Sequence, residues 1–175
     1  QAMLNLSSGA SNTALGAGAL GTAVVTGDAN IAIGGNAGRS ITSGASNVIV
    51  GKNAGEILTT GAFNVIIGDL AMDAADGGES NNVAIGASAM GAVDEGGNNS
   101  DSNIAIGKNA LGELKHPSNQ NTAVGTYAMY ESTGASYYNT ALGYAAGYAI
   151  TSGDNLICIG TDSGRTGSPG GNITT

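Results

Sequence analysis

The carboxylates that could do chemistry are concentrated in the middle of the chain. Seven lie within 33 positions: Asp69, Asp73, Asp76, Glu79, Asp94, Glu95 and Asp101. Oxygen ligands on loops rich in glycine and asparagine suit calcium, but this spacing matches neither an EF-hand nor the Gly-Gly-x-Gly-x-Asp roll motif. Glycoside hydrolysis needs two carboxylates at a defined separation across a sugar cleft, and nothing in the sequence places such a pair. We expect a solvated acidic face, with calcium binding as the alternative.

Aromatic residues form a second group, towards the end of the chain. All six tyrosines lie in a stretch of 22 residues: Tyr127, Tyr130, Tyr137, Tyr138, Tyr144 and Tyr148. A tyrosine ring offers a flat, amphipathic contact surface at low entropic cost, so these residues are a candidate surface for sugars or other ligands. The alternative is a ladder of surface tyrosines that pack only on each other.

The remaining reactive residues are isolated. His116 has no partnering Cys or Asp motif, and Cys158 occupies a position where most repeats carry alanine, which predicts a buried space-filling role. No nucleophile elbow, phosphate-binding loop or zinc-ligand spacing occurs. The sequence therefore predicts a protein that is not an enzyme and has no catalytic residue and no cofactor.

Charge and composition exclude several classes of partner. Five Lys and Arg against thirteen Asp and Glu give a net charge of −8, so the basic surface expected for nucleic acid or anionic lipid is missing. No apolar run reaches the roughly 18 residues that span a bilayer. Glycine occurs 31 times, tryptophan never and phenylalanine once, so any core must be narrow and built from small and β-branched side chains.

One short pattern recurs along the whole chain and must position all these residues. Each copy is an apolar run closed by a glycine, and the closing glycines are Gly16, Gly34, Gly51, Gly68, Gly86, Gly107, Gly125, Gly143 and Gly160. Successive glycines are 17 or 18 residues apart, except for one spacing of 21. A constant period of this length is typical of a solenoid. We therefore expect an all-β, parallel β-solenoid of about nine coils over residues 1–175, cut within a repeat at both ends as in a segment of a longer fibre.

Within a copy, the columns differ in character. The first is asparagine, which we expect to stack into a ladder of amides; the second and fourth are mostly aliphatic, and the third is small in most copies. Because alternate residues of a strand point to opposite faces, we expect the aliphatic pair to fill the coil and the third column to form the seam of a homotrimer. The predicted seam is Ala14, Ala32, Ile49, Ile66, Ala84, Ala105, Ala123 and Ala141. The opposite assignment, with the third column inside and the aliphatic residues at the interface, stays open.

The connections add three expectations. The third residue after each closing glycine is small and predicts a second tight contact, and an apolar residue about four positions later predicts a second short strand. In the last copy an extra residue between Asn155 and Gly160 predicts a bulge. Asn172, Ile173 and Thr174 resemble the start of a tenth strand.

The repeat resembles those of known fibrous proteins. The pattern Asn-Thr/Ile/Val-Ala-Ile/Leu-Gly-x-x-Ala, as in NTAVGTYAM at residues 121–129 and NTALGYAAG at residues 139–147, is similar to the head repeats of trimeric autotransporter adhesins. In its longer period it resembles more closely the repeats of phage tail fibres and tailspikes.

This resemblance implies a trimer of left-handed parallel β-rolls that lies outside the cell, on a virion appendage or a cell surface. The function expected first is a structural segment of a phage tail fibre that projects or forms a host-binding surface, with a host glycan or receptor as the partner. The alternative is the head of a bacterial trimeric adhesin. A further alternative is a monomeric ice- or ligand-binding solenoid, although the threonines that would form an ice-binding face are only partly regular.

Overall fold

The chain folds as an all-β, parallel β-solenoid. A computed structural model describes residues 8–21, 24–75, 77–93, 99–114, 118–132, 134–150, 153–164 and 173–174, and this part of the chain contains strands and turns but no helix. The strands are β1 (Thr13–Leu15), β2 (Ile31–Ile33), β3 (Val48–Val50), β4 (Val65–Ile67), β5 (Val83–Ile85), β6 (Ala92–Val93), β7 (Ile104–Ile106), β8 (Glu113–Leu114), β9 (Thr122–Val124), β10 (Glu131–Ser132), β11 (Thr140–Leu142), β12 (Leu156–Ile159) and β13 (Ile173–Thr174).

Each predicted apolar run forms one strand of a single large sheet. Strands β1 to β5, β7, β9, β11 and β12 pair in parallel in that order, with equivalent residues opposite each other. The parallel solenoid predicted from the period is thus confirmed. Several connections include residues outside the described ranges, so the count of nine complete coils stays a prediction, as does the left-handed turn.

A second, smaller sheet forms on the connections. Strands β6, β8 and β10 pair in parallel, whereas the other described connections run as turns. The predicted second strand is therefore present in only part of the solenoid. Its apolar side chains still point inward where they are described, since Ile41, Leu58 and Leu114 are fully buried.

The predicted trimer seam is wrong, because the third column fills the interior of its own chain. Ala105 is fully buried, while Ile104 and Ile106 on either side of it are 38% exposed. The other predicted seam residues follow the same rule: Ala32, Ile49, Ile66, Ala84, Ala123 and Ala141 are fully buried, and Ala14 in the first strand is half-buried. The aliphatic second and fourth columns point outward, so the third column lies inside, as the opposite assignment had it; an interface on the aliphatic residues stays a prediction.

Complementary side-chain volumes explain why the small column is inside. The fourth residue after each closing glycine also faces the interior. It is large where the third-column residue of the next strand is small, and it is glycine where that residue is isoleucine. Where it is large, the strand carries alanine, in the pairs Leu20 with Ala32, Met72 with Ala84, Met90 with Ala105, Leu111 with Ala123 and Met129 with Ala141. Where it is Gly38 or Gly55, the strand carries Ile49 or Ile66, whose Cδ1 atoms lie 3.0 Å and 3.1 Å from where a Cβ of the glycine would be. In these seven repeats the two inward positions together keep a similar volume, as close packing requires, whereas Gly147 stands opposite the smaller Cys158.

The asparagine column forms the predicted amide ladder. Asn47 shows the pattern: its Nδ2 donates to Oδ1 of Asn30 at 3.0 Å and to the carbonyl of Gly61 at 2.9 Å, and its Oδ1 accepts from the backbone N–H of Asn64 at 3.0 Å. The same bonds to the backbone recur from Asn12 to Asn139. Buried backbone groups at each corner are therefore satisfied by the neighbouring coil.

At the end of the chain the predicted bulge is wrong, whereas the predicted tenth strand forms. Leu156, and not Asn155, occupies the asparagine column, since its N–H donates to Oδ1 of Asn139 at 2.8 Å and the strand register continues without an extra residue. Asn155 instead takes the left-handed turn position that precedes the column, with φ of 58°, so no bulge forms. Of the residues predicted to begin a tenth strand, Ile173 and Thr174 form β13, which is the tenth strand of the large sheet but pairs antiparallel with β12. Asn172 lies outside the described residues.

Candidate functional site: a tyrosine groove

The turn after each closing glycine repeats its backbone geometry and so stacks equivalent side chains in columns. Its second residue has a left-handed conformation in every described repeat, as in Asn109 (φ 56°) and Tyr127 (φ 60°). The carbonyl of the fifth residue accepts a hydrogen bond from a backbone N–H of the preceding coil. Tyr130 accepts from Glu113 in this way, and Tyr148 accepts from Glu131. Side chains at these positions therefore follow one another along the axis at the spacing of adjacent strands, about 4.8 Å.

Four of the six tyrosines meet in these columns. The ring of Tyr127 lies edge-on to that of Tyr130, with centroids 5.4 Å apart, and to that of Tyr144 at 6.4 Å. Tyr148 lies 5.4 Å from Tyr130 and 6.3 Å from Tyr127. Together with Asn109 and Ala145, these rings line a concavity of about 390 Å³. The rings therefore pack on each other and also shape a surface depression.

A carboxylate anchors the tyrosine cluster. The hydroxyl of Tyr130 donates to Oε1 of Glu113 at 3.0 Å. This hydrogen bond to the carboxylate, together with partial burial, raises the pKa of Tyr130. Tyr130 therefore keeps its proton and remains a neutral hydroxyl through the physiological range.

A second concavity adjoins the first. It measures about 290 Å³ and shares Asn109 and Tyr130 with the tyrosine-lined one. Its floor is formed by Gly91 and Gly112, which occupy the column that carries Tyr130 and Tyr148 in later repeats; a Cβ on Gly112 would lie 2.6 Å from the Tyr130 ring. Other residues that line it are Leu70, Asp73, Ser88, Ala92 and Glu113.

We call the two concavities together the axial groove, defined by Asp73, Ser88, Asn109, Glu113, Tyr127, Tyr130, Tyr144 and Tyr148. One end of it is electrically negative. The pKa of Asp73 is raised, first by burial and further by the negative charges of Glu56 and Asp69. The groove thus offers aromatic faces, hydroxyl groups, an amide and carboxylates along one side of the solenoid.

No known protein family, curated protein or solved structure matches this chain. The groove must therefore be interpreted from its own chemistry. Among the described residues, no helix is long and apolar enough to cross a membrane.

The other two predicted ligand-surface tyrosines lie apart from the groove. Tyr137 and Tyr138 are neighbours with ring centroids 6.5 Å apart, on the corner that precedes Asn139. The N–H of Tyr137 donates to Oδ1 of Asp154 at 2.9 Å, and Tyr138 is 58% exposed. The single cluster of six expected from the sequence is therefore a group of four and a pair.

The acidic residues that the structure describes do not form a metal site. Asp76, Asp94 and Glu95 lie outside the described residues, as does His116. In the described part, Oδ1 of Asp101 accepts the backbone N–H of Ser80 at 2.7 Å, a role that Asp28 and Asp154 share at equivalent corners, and Glu79 is fully buried. The described residues contain no group of three or more His, Cys, Asp or Glu arranged to hold a metal ion. Calcium binding stays a prediction, without a described site that supports it.

Sequence reasoning missed Asn109, Glu113 and the two floor glycines. The available signal was the column that carries Tyr130 and Tyr148, which continues backwards through Gly112, Gly91 and Asp73. Glycine in place of tyrosine at the same position predicts a depression beside the rings. Cys158 is buried as expected from its column, and burial raises the pKa of its thiol.

Proposed function

We propose that this chain is a structural segment of a phage tail fibre or a similar viral appendage, in which three parallel copies of a left-handed roll of about nine coils assemble outside the cell. The segment projects or itself forms a host-binding surface. The observation that carries this proposal is the aliphatic stripe, which we define as the outward second and fourth columns of β1 to β5, β7, β9, β11 and β12.

The aliphatic stripe is too regular to be incidental. Apart from Thr13, Thr122 and Thr140, every one of its positions is Val, Ile or Leu. Its members include Leu142 at 48% exposure and Ile159 at 54%. With nine strands about 4.8 Å apart, the stripe runs for roughly 40 Å. Continuous apolar patches of this extent on a protein surface typically mark an interface.

A second and third copy of the same chain are the occupants that the stripe fits. Its apolar side chains repeat at the strand spacing, so parallel copies around a shared axis present the same spacing to one another, as in homo-oligomers with cyclic symmetry. The stripe contains no charged residue although the chain carries a net charge of −8. Copies can therefore approach along it without bringing like charges into contact.

Stiffness supports the role of a fibre. From Asn12 to Asn139 the asparagine ladder ties one corner of each coil to the next coil, and buried hydrogen bonds of this kind fix one arrangement of the backbone. The ice-binding alternative is less well supported, because the hydroxyls of Thr26, Thr42 and Thr59 each donate to a carbonyl of the next coil. Those hydroxyls do not form a face that is free to order water.

The oligomeric state tests the proposal. We expect light scattering and native mass spectrometry of the wild-type chain to give three times the monomer mass of 16.9 kDa. Replacing Ile67 and Ile106 in the stripe with Asp should give a folded monomer. Ile57→Asp is the matched control, since Ile57 is 44% exposed but lies in a turn, and this variant should remain trimeric.

Two results would contradict the proposal. If the wild-type chain is a monomer at micromolar concentration, other copies of the chain do not cover the aliphatic stripe. An Ile67→Asp, Ile106→Asp variant that still assembles would show that another surface holds the trimer. Ala105→Glu is expected to unfold the chain and not merely dissociate it, because Ala105 has no access to solvent and an unpaired buried charge is strongly destabilising.

A further inference from the structure

We propose that the axial groove binds an uncharged oligosaccharide whose chain lies along the solenoid axis. The inference depends on the proposed host-attachment function for its biological meaning and on the groove for its chemistry. It names the class of ligand that the attachment surface would recognise.

The length of the groove favours a chain over a single sugar. Its side chains come from five successive repeats, with Asp73 at one end, Asn109 in the middle and Tyr148 at the other end. Four intervals of about 4.8 Å make this distance roughly 20 Å. A monosaccharide would occupy only part of it, whereas an extended oligosaccharide contacts both concavities.

The lining suits neutral hydroxyl groups. The Asn109 amide and the tyrosine hydroxyls can each donate and accept hydrogen bonds, while Glu113 accepts. A sugar hydroxyl also donates and accepts, so it can pair with every polar group in the groove. The aromatic ring of Tyr144, which is 53% exposed, offers the flat apolar surface on which the C–H face of a sugar ring can stack.

Anionic glycans fit the groove poorly. Among the described residues that line it, none is lysine or arginine. Asp73 and Glu113 carry negative charge, and Asp69 and Glu56 lie near enough to raise the pKa of Asp73, although Glu56 is itself paired with Arg39 at 3.0 Å. A sulfated, phosphorylated or sialylated ligand would therefore meet like charges without a counter-charge.

An organic cation is the other ligand that rings and carboxylates attract. The arrangement of the rings disfavours it. The rings of Tyr127 and Tyr130 are in direct edge-to-face contact, with their centroids 5.4 Å apart. The hydroxyl of Tyr130 already donates a hydrogen bond to Glu113. These two rings therefore leave no space between them for a quaternary ammonium group.

The test is a binding assay on the wild-type chain. Isothermal titration calorimetry would follow an array screen of neutral glucans, galactans and mannans of increasing length, with sulfated and sialylated oligosaccharides and choline chloride as the contrasting probes. We expect at least one neutral series to bind, with affinity that rises with chain length and then levels off. The acidic oligosaccharides and choline should bind at least tenfold more weakly.

A pair of tyrosine variants locates the binding. Tyr144→Ala should weaken binding of the neutral oligosaccharide about tenfold, which corresponds to about 1.4 kcal/mol. Tyr138→Ala is the matched control, because Tyr138 is 58% exposed but lies outside the groove. Its affinity should stay within twofold of wild type, and circular dichroism should show both variants folded.

Several outcomes would overturn the inference: no neutral oligosaccharide bound by folded wild type, a preference for acidic glycans or choline, or equal losses in the two variants. Light scattering on the same sample separates this failure from that of the fibre proposal. A trimer that binds no oligosaccharide removes the groove as a glycan site and leaves the fibre. A monomer whose binding of a neutral oligosaccharide is lost in Tyr144→Ala removes the fibre and keeps the site.

Discussion

Exchanging volume across the solenoid interior tests the assignment of its faces. Ile66 points inward, and its Cδ1 lies 3.1 Å from where a Cβ on Gly55 would be. In the repeat that follows, the equivalent pair is Met72 and Ala84, with the large residue on the opposite side. The double variant Ile66→Ala, Gly55→Met therefore reproduces an arrangement that the chain already uses.

Each single change should be costly. Ile66→Ala leaves a cavity in a fully buried site, and such truncations destabilise proteins by about 2–5 kcal/mol. Gly55→Met alone places a side chain against Ile66, and overpacking of this kind costs about 1–3 kcal/mol. Backbone strain adds about 1–2 kcal/mol, because Gly55 has a left-handed φ of 54°. Met72 shows that the fold tolerates methionine in this conformation, with φ of 48°.

The double variant should recover much of the loss. If the two side chains fill one space, the free energy of unfolding of the double variant should lie within about 2 kcal/mol of wild type, with a coupling energy of about 2–3 kcal/mol, at the upper end for residues in contact. Urea unfolding followed by circular dichroism measures this, at one fixed protein concentration because assembly shifts the apparent stability.

The control cycle uses Ile67, the neighbour of Ile66, as the truncated residue. Ile67 is 37% exposed and points outward, so Ile67→Ala combined with Gly55→Met should be additive within about 0.5 kcal/mol. Additive behaviour of the Ile66 cycle would refute the assignment of the third column to the interior.

Three further perturbations have definite signs. Asn47→Ala should cost about 2–6 kcal/mol in urea unfolding, because it leaves two buried backbone groups without partners at about 1–3 kcal/mol each. Gly86→Ala should cost at least about 2 kcal/mol, since the φ of Gly86 is +133° and the added Cβ would lie 2.6 Å from Gly107. Gly35→Ala is the control: its Cβ would meet nothing closer than 4.0 Å, so stability should change by less than about 1 kcal/mol. The raised pKa of Asp73 means that its protonated form favours the folded state; its contribution is fully present below pH 3.8 and is lost as pH rises through the folded pKa. Asp73→Asn should therefore raise the melting temperature slightly at pH 7 and leave it unchanged at pH 3.

The period and the character of each column predicted the strands well. Every apolar run closed by a glycine forms a strand of the large sheet, because parallel stacking requires equivalent residues at equivalent places and the chain supplies them at 17 or 18 residues. The amide ladder was predictable for the same reason. What failed at Asn155 was alignment by residue type, since the backbone places Leu156 in that column.

The faces could not be assigned from hydropathy, because both faces of each strand are apolar. Hydrophobic alternation distinguishes inside from outside only when one face is polar. The deciding information was the volume relation between Gly55 and Ile66, or Met72 and Ala84, which appears only when two columns are compared. The axial groove was hidden for a related reason: its floor is made by residues without side chains, Gly91 and Gly112.

The contrast between inner and outer columns bears on function. From Leu20 to Ala141 the two facing inner columns vary in compensating pairs, because the interior must keep its volume. Outer columns are free of that constraint, yet the aliphatic stripe is Val, Ile or Leu at every position except three threonines, while the groove column changes from Asp73 through glycine to Tyr148. This uniformity has no internal cause, and it is what the proposed trimer of copies in register would require. Variation along one column instead marks a surface whose contacts differ from repeat to repeat, as recognition of an extended ligand requires.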